Sequence, residues 1–517
     1  MAFYVWAAAA LVSAIVWIIR KVFFEPTSGL QFPVVGRPDD NDLRYAVLEG
    51  AKKYPDTPFV VPLKPPRVIL PMSLYKEVMN LPHEDLSFGT ELYHQFQGRV
   101  SHLGENYPEV VPIVRHEVTK DLHNILSLFQ DEAGYAFKKE LGSSTDWTDF
   151  ALYPKILRLV AHLSGRVFVG TPLNRDEEWI DASINYTTHS GQLGRAADKW
   201  NPLLRPIVIP FLPETRQVRQ DLKQARAWME PLVNDILSRD REKAGSVQTG
   251  TRGTYMSWLL KYLSESGKTV EHVAIHQMLI AFASTHTVSY TAYQALLDMA
   301  TRREYLEPLR EEIDKVLNTE SQELDDNGTP YYKKEAYAKL VKLDSFIKES
   351  MRLHPLGYTG SLRRTKRDVT LSNGIKLPKG TPIAFPSWAI VNSPETLLYS
   401  PEYNAGTGNL PADTFDGFRF SRLRELAGRE TKHQAATTSP YQFNFGHGPD
   451  ACPGRFFAVY ELKVILVEFL RNFDFRLADD LEGTGGEEKR PKEVIVKLGN
   501  VPDTTVKMAI RRRFGMA

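Results

Sequence analysis

The sequence predicts a mainly α protein with small β regions, an α+β chain in which one N-terminal membrane-spanning helix precedes a large body. Three observations carry this expectation. Apolar residues recur at helical spacing through much of positions 110–320, with few β-branched alternations. Short apolar runs broken by proline, or by an Asn-Gly pair, mark small β regions at 59–70 and 369–377. The 17 residues from Phe3 to Ile19 form an apolar run, which as a helix just spans a bilayer core.

Within the first segment no side chain from Met1 to Ile19 is charged, and Arg20 and Lys21 close the run. Phe3, Tyr4 and Trp6 lie near one end and Trp17, Phe23 and Phe24 near the other, as expected for rings placed at the two membrane interfaces. A cleaved secretory signal needs basic residues before the apolar run and a small-residue cleavage site after it, and neither is present. Positive charge that follows the helix puts the rest of the chain in the cytosol. Residues 1–21 are therefore expected to be an anchor. Residues 22–45, with Pro26, Pro33 and Pro38, read as a stiff hinge, and 46–517 as one large, α-rich unit.

In that body, Phe59–Val61 and Arg67–Leu70 suggest a β-hairpin, and Val369–Leu371 with Ile375–Leu377 flank Ser372-Asn373-Gly374, a turn that needs positive φ. A long apolar helix is expected over His272–Ala300. Hydrophobic residues at 42% and charged residues at 25% fit a globular protein. With 64 basic against 63 acidic residues there is no electrostatic footprint for nucleic acid, which is set aside as a partner. A single cysteine excludes an intramolecular disulfide.

That cysteine, Cys452, sits in YQFNFGHGPDACPGRFFAVYELKVILVEFL, residues 441–470. Gly446, Gly448 and Gly454 let the backbone approach a flat ligand closely, and Pro453 suits the first turn of a helix. A thiol at such a helix start feels the positive end of the dipole, which favours the thiolate, a ligand for iron. A buried, inert cysteine is the competing reading.

Phe445, Gly448, Cys452 and Gly454 match the Phe-x-x-Gly-x-x-x-Cys-x-Gly haem-binding signature, so the chain resembles the cytochrome P-450 family. The wider string FGHGPDACPGRFFA is similar to fungal microsomal members of secondary metabolism. The resemblance implies a cytochrome P-450 fold, with heme b (iron-protoporphyrin IX) bound by Cys452 as the axial metal ligand.

It also implies a Glu-x-x-Arg helix, matched by Glu349 and Arg352, and a later arginine, matched by Arg419, as a structural cluster holding the cysteine segment. Leu340, Leu343, Ile347 and Met351 trace one face of that helix. Ala283–Thr287 is similar to the family's oxygen-site segment, which makes Thr287 the relay hydroxyl on a helix that opens beside the haem. His286 stands where an acid is usual and is expected to share proton transfer with Thr287. Arg363, with Arg364 as its neighbouring alternative, matches a propionate-binding arginine. Asp450 departs from the family's basic residue two before the cysteine, and the family's Trp-x-x-x-Arg is not evident.

By this resemblance the function is O2-dependent oxidation of an apolar, polycyclic secondary metabolite, a terpenoid or an indole alkaloid. No Gly-x-Gly-x-x-Gly dinucleotide fingerprint is present, so NADPH acts indirectly, through a membrane-bound reductase, with a small b-type cytochrome as a further candidate donor. The expected location is the endoplasmic reticulum membrane, single-pass, with the catalytic domain cytosolic. Desaturation, rearrangement or coupling at the same haem is the first alternative, and a non-catalytic haem sensor the second.

Overall fold

The computed structural model describes residues 31–242, 254–325, 328–392, 410–439 and 442–513, together with positions 6 and 13. The expected anchor at 1–21, those two positions apart, and residues 22–30 of the hinge lie outside the described residues. Among the described residues no helix is long and apolar enough to cross a membrane.

The principal elements, in chain order, are α1 (Arg44–Lys53), β1 (Phe59–Val61), β2 (Arg67–Ile69), β3 (Leu86–Ser87), α2 (Leu122–Leu141), β4 (Thr148–Ala151), α3 (Leu152–Phe168), α4 (Glu177–Asp198) and α5 (Pro213–Glu242). There follow α6 (Tyr255–Tyr262), α7 (Val270–Thr301), α8 (Leu306–Thr319), α9 (Val341–Leu353), β5 (Gly360–Thr365), β6 (Val369–Thr370), β7 (Lys376–Leu377), β8 (Pro382–Phe385), α10 (Arg419–Arg424), α11 (Arg455–Asn472), β9 (Phe473–Leu477) and β10 (Lys507–Arg512). The fold is mainly helical with small sheets, as the apolar spacing predicts.

The described residues fall into two compact units, the first built from the segments up to Asn106, 188–220 and 361–386, the second from 107–187, 221–360 and 387 onward. Neither is contiguous in sequence, so no shift of composition along the chain could mark the division.

The first unit holds a five-stranded sheet in the order β1-β2-β8-β5-β3. The expected hairpin is its antiparallel edge, Phe59 opposite Ile69. Its inner pair is parallel, with Ile383 beside Val68 and Ala384 beside Ile69; all four side chains are fully buried, which is usual for parallel strands. Glu91, also buried, accepts from Arg67 Nη2 at 2.8 Å and Arg364 Nε at 2.9 Å, so two guanidinium groups share one carboxylate. The second predicted hairpin is present as β6 and β7, with Val369 opposite Leu377. Its turn places Gly374 at φ +84°, a conformation an L side chain rarely tolerates.

The second unit is organised on α7, a helix of 32 residues and so about 48 Å long. The Thr269 hydroxyl caps its start, accepting from the His272 amide at 3.2 Å. Around it, α2, α3 and α11 meet through aromatic rings. Phe457 of α11 lies 5.0 Å from Phe129 and 5.6 Å from Phe168, centroid to centroid, and Phe137 lies 5.1 Å from Phe469. These contacts fix the axis of α11, and with it the loop at its N-terminal end, because aromatic side chains bury the most area and keep few rotamers. A three-stranded sheet, β9-β10-β4, closes the chain, with Phe475 opposite Ile510.

Candidate active site

The loop before α11 is bent by its glycines. Gly446 and Gly448 adopt φ of +65° and +82°, which glycine alone takes without cost. Gly454 is different: it sits at φ −85° as the residue before α11, and a Cβ there would lie 4.0 Å from the Cys452 sulfur. The Cys452 amide donates to Phe445 O at 2.7 Å, so two positions of the signature, seven apart in the chain, close one ring. Arg455 Nη1 reaches back to Cys452 O at 2.8 Å. From the helical turn at 113–118, Arg115 Nη2 donates to Pro449 O at 2.7 Å and straps the loop from outside. No motif in the sequence pointed to that strap.

The electrostatics of the sulfur differ from the sequence expectation. Burial pushes the Cys452 thiol above its ordinary value, and the amides of Gly454 and Arg455, with the Arg455 charge, only partly oppose this. The helix start therefore stabilises the anion but does not generate it by itself; a cation bound at the sulfur is needed to reverse the balance. One soft sulfur donor in a glycine-bent loop, with the Gly454 and Arg455 amides directed at it, is a donor that would suit a haem iron.

Glu349, Arg352 and Arg419 come together, each with at most 2% of its surface exposed. Arg352 grips the carboxylate with Nη2 at 2.7 Å from Oε1 and Nε at 2.8 Å from Oε2, the two-pronged geometry arginine is built for. Arg419 Nε lies 3.0 Å from the same Oε1. The remaining donors serve carbonyls: Arg352 bonds to Val391, Ala412 and Thr414, and Arg419 to Pro411 and Thr414. Burial alone would raise the Glu349 carboxyl, but the two guanidinium groups hold it below the usual range. The cluster thus nails the 411–416 segment to α9. The apolar face expected for α9 is present, since Leu340, Leu343, Ile347 and Met351 are all buried.

The structure does not bring His286 and Thr287 together. Successive helical residues point about 100° apart, and these two serve different surroundings. The His286 ring is turned inward: Nε2 donates to Ile184 O at 3.0 Å, which leaves Nδ1 to accept from Tyr153 Oη at 3.2 Å. Burial lowers its pKa, with the Ile184 bond opposing, so the ring is held neutral with both nitrogens used. Thr287 is exposed, and its hydroxyl donates back to Ala283 O at 2.9 Å and Ser284 O at 3.1 Å. The expected opening of the helix is absent, for α7 runs unbroken through 283–287; these back-bonds saturate the carbonyls that an opening would free.

Arg363 and Arg364 lie on β5 in the first unit. Arg364 is committed to Glu91 and to Gly380 O, at 2.9 Å each. Arg363 donates to Leu362 O at 2.7 Å, its guanidinium 5.7 Å from the centre of the Phe88 ring. Asp450 lies in the cysteine loop, half-buried.

Comparison with known proteins identifies the family. The sequence profile of the family described as Cytochrome P450 matches residues 67–496. Cytochrome P450 monooxygenase ascG of Acremonium egyptiacum is 41% identical over 512 residues, covering 98% of this chain and 95% of the relative. Cytochrome P450 monooxygenase 3 of Gibberella fujikuroi is 40% identical over 504 residues, covering 96% and 93%. Among solved structures, a retinoic acid-bound cyanobacterial CYP120A1 superposes with a TM-score of 0.62 at 16% identity, over 90% of this chain and 93% of that one, a likeness of fold. By sequence, therefore, the chain belongs to the cytochrome P450 family, among its monooxygenases.

Proposed function

We propose that the chain is a microsomal haem-thiolate monooxygenase that inserts one atom of O2 into an apolar, polycyclic secondary metabolite, a terpenoid or an indole alkaloid. One observation carries the reading: the only cysteine lies in a loop whose glycine bends, Phe445 carbonyl and Gly454 and Arg455 amides converge on it. Heme b would be held through Cys452, with Arg363 as a propionate partner from β5. Arg364 is already committed to Glu91, and Arg115, set against Pro449, is a further cation beside the loop. When bound, the haem supplies oxygen activation and the thiolate donates electron density to it.

The chain's own residues then have separable tasks. Gly454 and Arg455 amides orient and stabilise the sulfur; Phe445 and Pro449 carbonyls hold the loop's shape; the Glu349 cluster anchors the segment leading to it. Thr287 is the hydroxyl placed to pass a proton, by exchanging its bond to Ala283 O for one to water. His286 orients α7 against Tyr153 and Ile184 and takes no part in the transfer. Electrons come from NADPH through a membrane-bound reductase, since the sequence has no dinucleotide fingerprint of its own. The apolar run at Phe3–Ile19 supports an endoplasmic reticulum anchor with the catalytic body cytosolic.

The absorption difference spectrum of the reduced, carbon monoxide-bound protein tests the ligation directly. The thiolate-type band is expected in the wild-type chain and its loss in Cys452→Ser; a variant that keeps the band overturns the assignment.

A further inference from the structure

A second cluster of ligand atoms lies in the same unit as the cysteine loop. Glu109 and two histidines one turn apart on α7, His272 and His276, converge on a single point. Glu109 Oε1 is 2.9 Å from His272 Nε2 and 2.8 Å from His276 Nε2, and all three ligand atoms lie within 4.8 Å of one another. The two rings lie 4.7 Å apart between centroids, their planes tilted by 32°. Tyr107 stands edge-on to both, at 5.7 and 4.8 Å.

The cluster is poorly explained as a hydrogen-bond network. His276 is completely buried, and its Nε2, although close to the carboxylate, forms no aligned hydrogen bond. A buried polar nitrogen left so costs roughly 1–3 kcal/mol. One carboxylate oxygen is asked to serve two imidazole nitrogens whose lone pairs or protons converge on the same space. A cation in that space satisfies all three.

We infer that Glu109, His272 and His276 form a binding site for a divalent transition-metal ion of the zinc class. The donor set is two imidazole nitrogens and one carboxylate, with no thiolate, which suits Zn2+ in tetrahedral geometry with a water in the fourth position. Tetrahedral bonds of ~2.0–2.1 Å set ligand atoms roughly 3.3 Å apart. The observed 2.8 and 2.9 Å require a widening of only about 0.5 Å. The i, i+4 spacing places both histidines on one face of α7 without distortion. Tyr255 Oη lies 3.3 Å from His276 Nδ1 and can accept a hydrogen bond from it, leaving the Nε2 lone pair for the metal, as carbonyls and carboxylates do behind other metal-bound histidines. His272 keeps 30% of its side chain exposed, an entry route for the ion. A bound ion ties the 107–109 segment to the first two turns of α7.

The test uses the full haem-loaded chain without a polyhistidine tag, stripped with chelator and titrated with ZnCl2 by calorimetry, with zinc and iron counted separately after gel filtration. One retained zinc per haem is expected in the wild type. Both His272→Ala and Glu109→Gln should weaken binding by roughly 100-fold, and Tyr255→Phe by about 10-fold. Zinc-edge absorption should show an N/O shell near ~2.0 Å with imidazole scattering. No retained zinc in the wild type overturns the inference, as does equal binding in wild type and variants. Haem content and the carbon monoxide spectrum, read on the same samples, report folding and cysteine ligation independently, so failure here leaves the haem reading standing.

Discussion

Replacing Glu461 by glutamine should change how the protein's stability depends on pH. Glu461 lies on α11, fully buried, nine residues beyond Cys452. The Ser164 hydroxyl donates to its Oε1 at 2.7 Å, while Oε2 has no partner. Burial, against the weaker pull of the Ser164 bonds, pushes the carboxyl from an ordinary 4.5 to about 8. Between those values the native protein keeps a proton that the unfolded chain has released. Stability therefore falls as pH rises through this window, by at most about 1.4 kcal/mol per unit. From pH 6 to pH 8 the wild type should lose roughly 2–3 kcal/mol through this group alone. The substituted glutamine cannot ionise. It keeps the Ser164 bond and leaves its own amide nitrogen unpaired, a cost of about 1–3 kcal/mol that does not vary with pH. The assay is urea unfolding of the haem-loaded wild type and Glu461→Gln at pH 6, 7 and 8. All other titrating groups cancel in the difference, so the variant should gain on the wild type by that roughly 2–3 kcal/mol across the range. A difference independent of pH would refute the reasoning.

Three further outcomes follow from the described geometry. Glu349→Gln strands two buried guanidinium groups and should cost about 3–5 kcal/mol, read as a collapse in the yield of haem-loaded protein; normal yield would show that the arginines find other partners. Thr287→Ala should lower product formation by roughly 10- to 100-fold and divert NADPH electrons to peroxide, whereas His286→Ala should leave the peroxide share unchanged and reduce thermal stability, because it unpairs Tyr153 Oη and Ile184 O. The reverse pattern would return the histidine to the proton path. Removal of residues 2–20 should move the protein from the microsomal pellet to the supernatant; a truncated chain that still sediments fully would place membrane attachment elsewhere.

What could be read from the sequence was local. The turn at Asn373-Gly374 needed positive φ, and the structure has it. The face of α9 followed from spacing, because burial imposes the 3.6-residue period directly. Gly446 and Gly448 were read as points of close approach to a flat ligand; that they also bend the loop, at positive φ, came from the structure. What stayed hidden depends on partners remote in the chain. Glu91 captures Arg364 from 273 positions away, and nothing near Arg364 announces it. His286 and Thr287 are neighbours in sequence, yet a helix turns them to different surroundings. Cys452 stands at a helix start, but the balance between dipole and desolvation depends on how deeply the loop is sunk, which spacing does not encode. The pair His272 and His276 passed unremarked inside the expected helix, because Glu109, which gives it meaning, lies 163 positions before His272.

The interleaving of the two units has a consequence for biosynthesis. Leu86 on β3 can find its strand partner only when Thr365 emerges, and α2 and α3 must wait for Phe457 to complete their aromatic seam. At translation rates of about 5–20 residues per second, the nascent first sheet stays unfinished for roughly 15–55 s. During that interval β2, an apolar strand destined for full enclosure, offers an open hydrogen-bonding edge. A nascent chain halted near residue 350 should therefore be a strong client for chaperones and a ready protease substrate in the segments of both units, since each still lacks residues it needs.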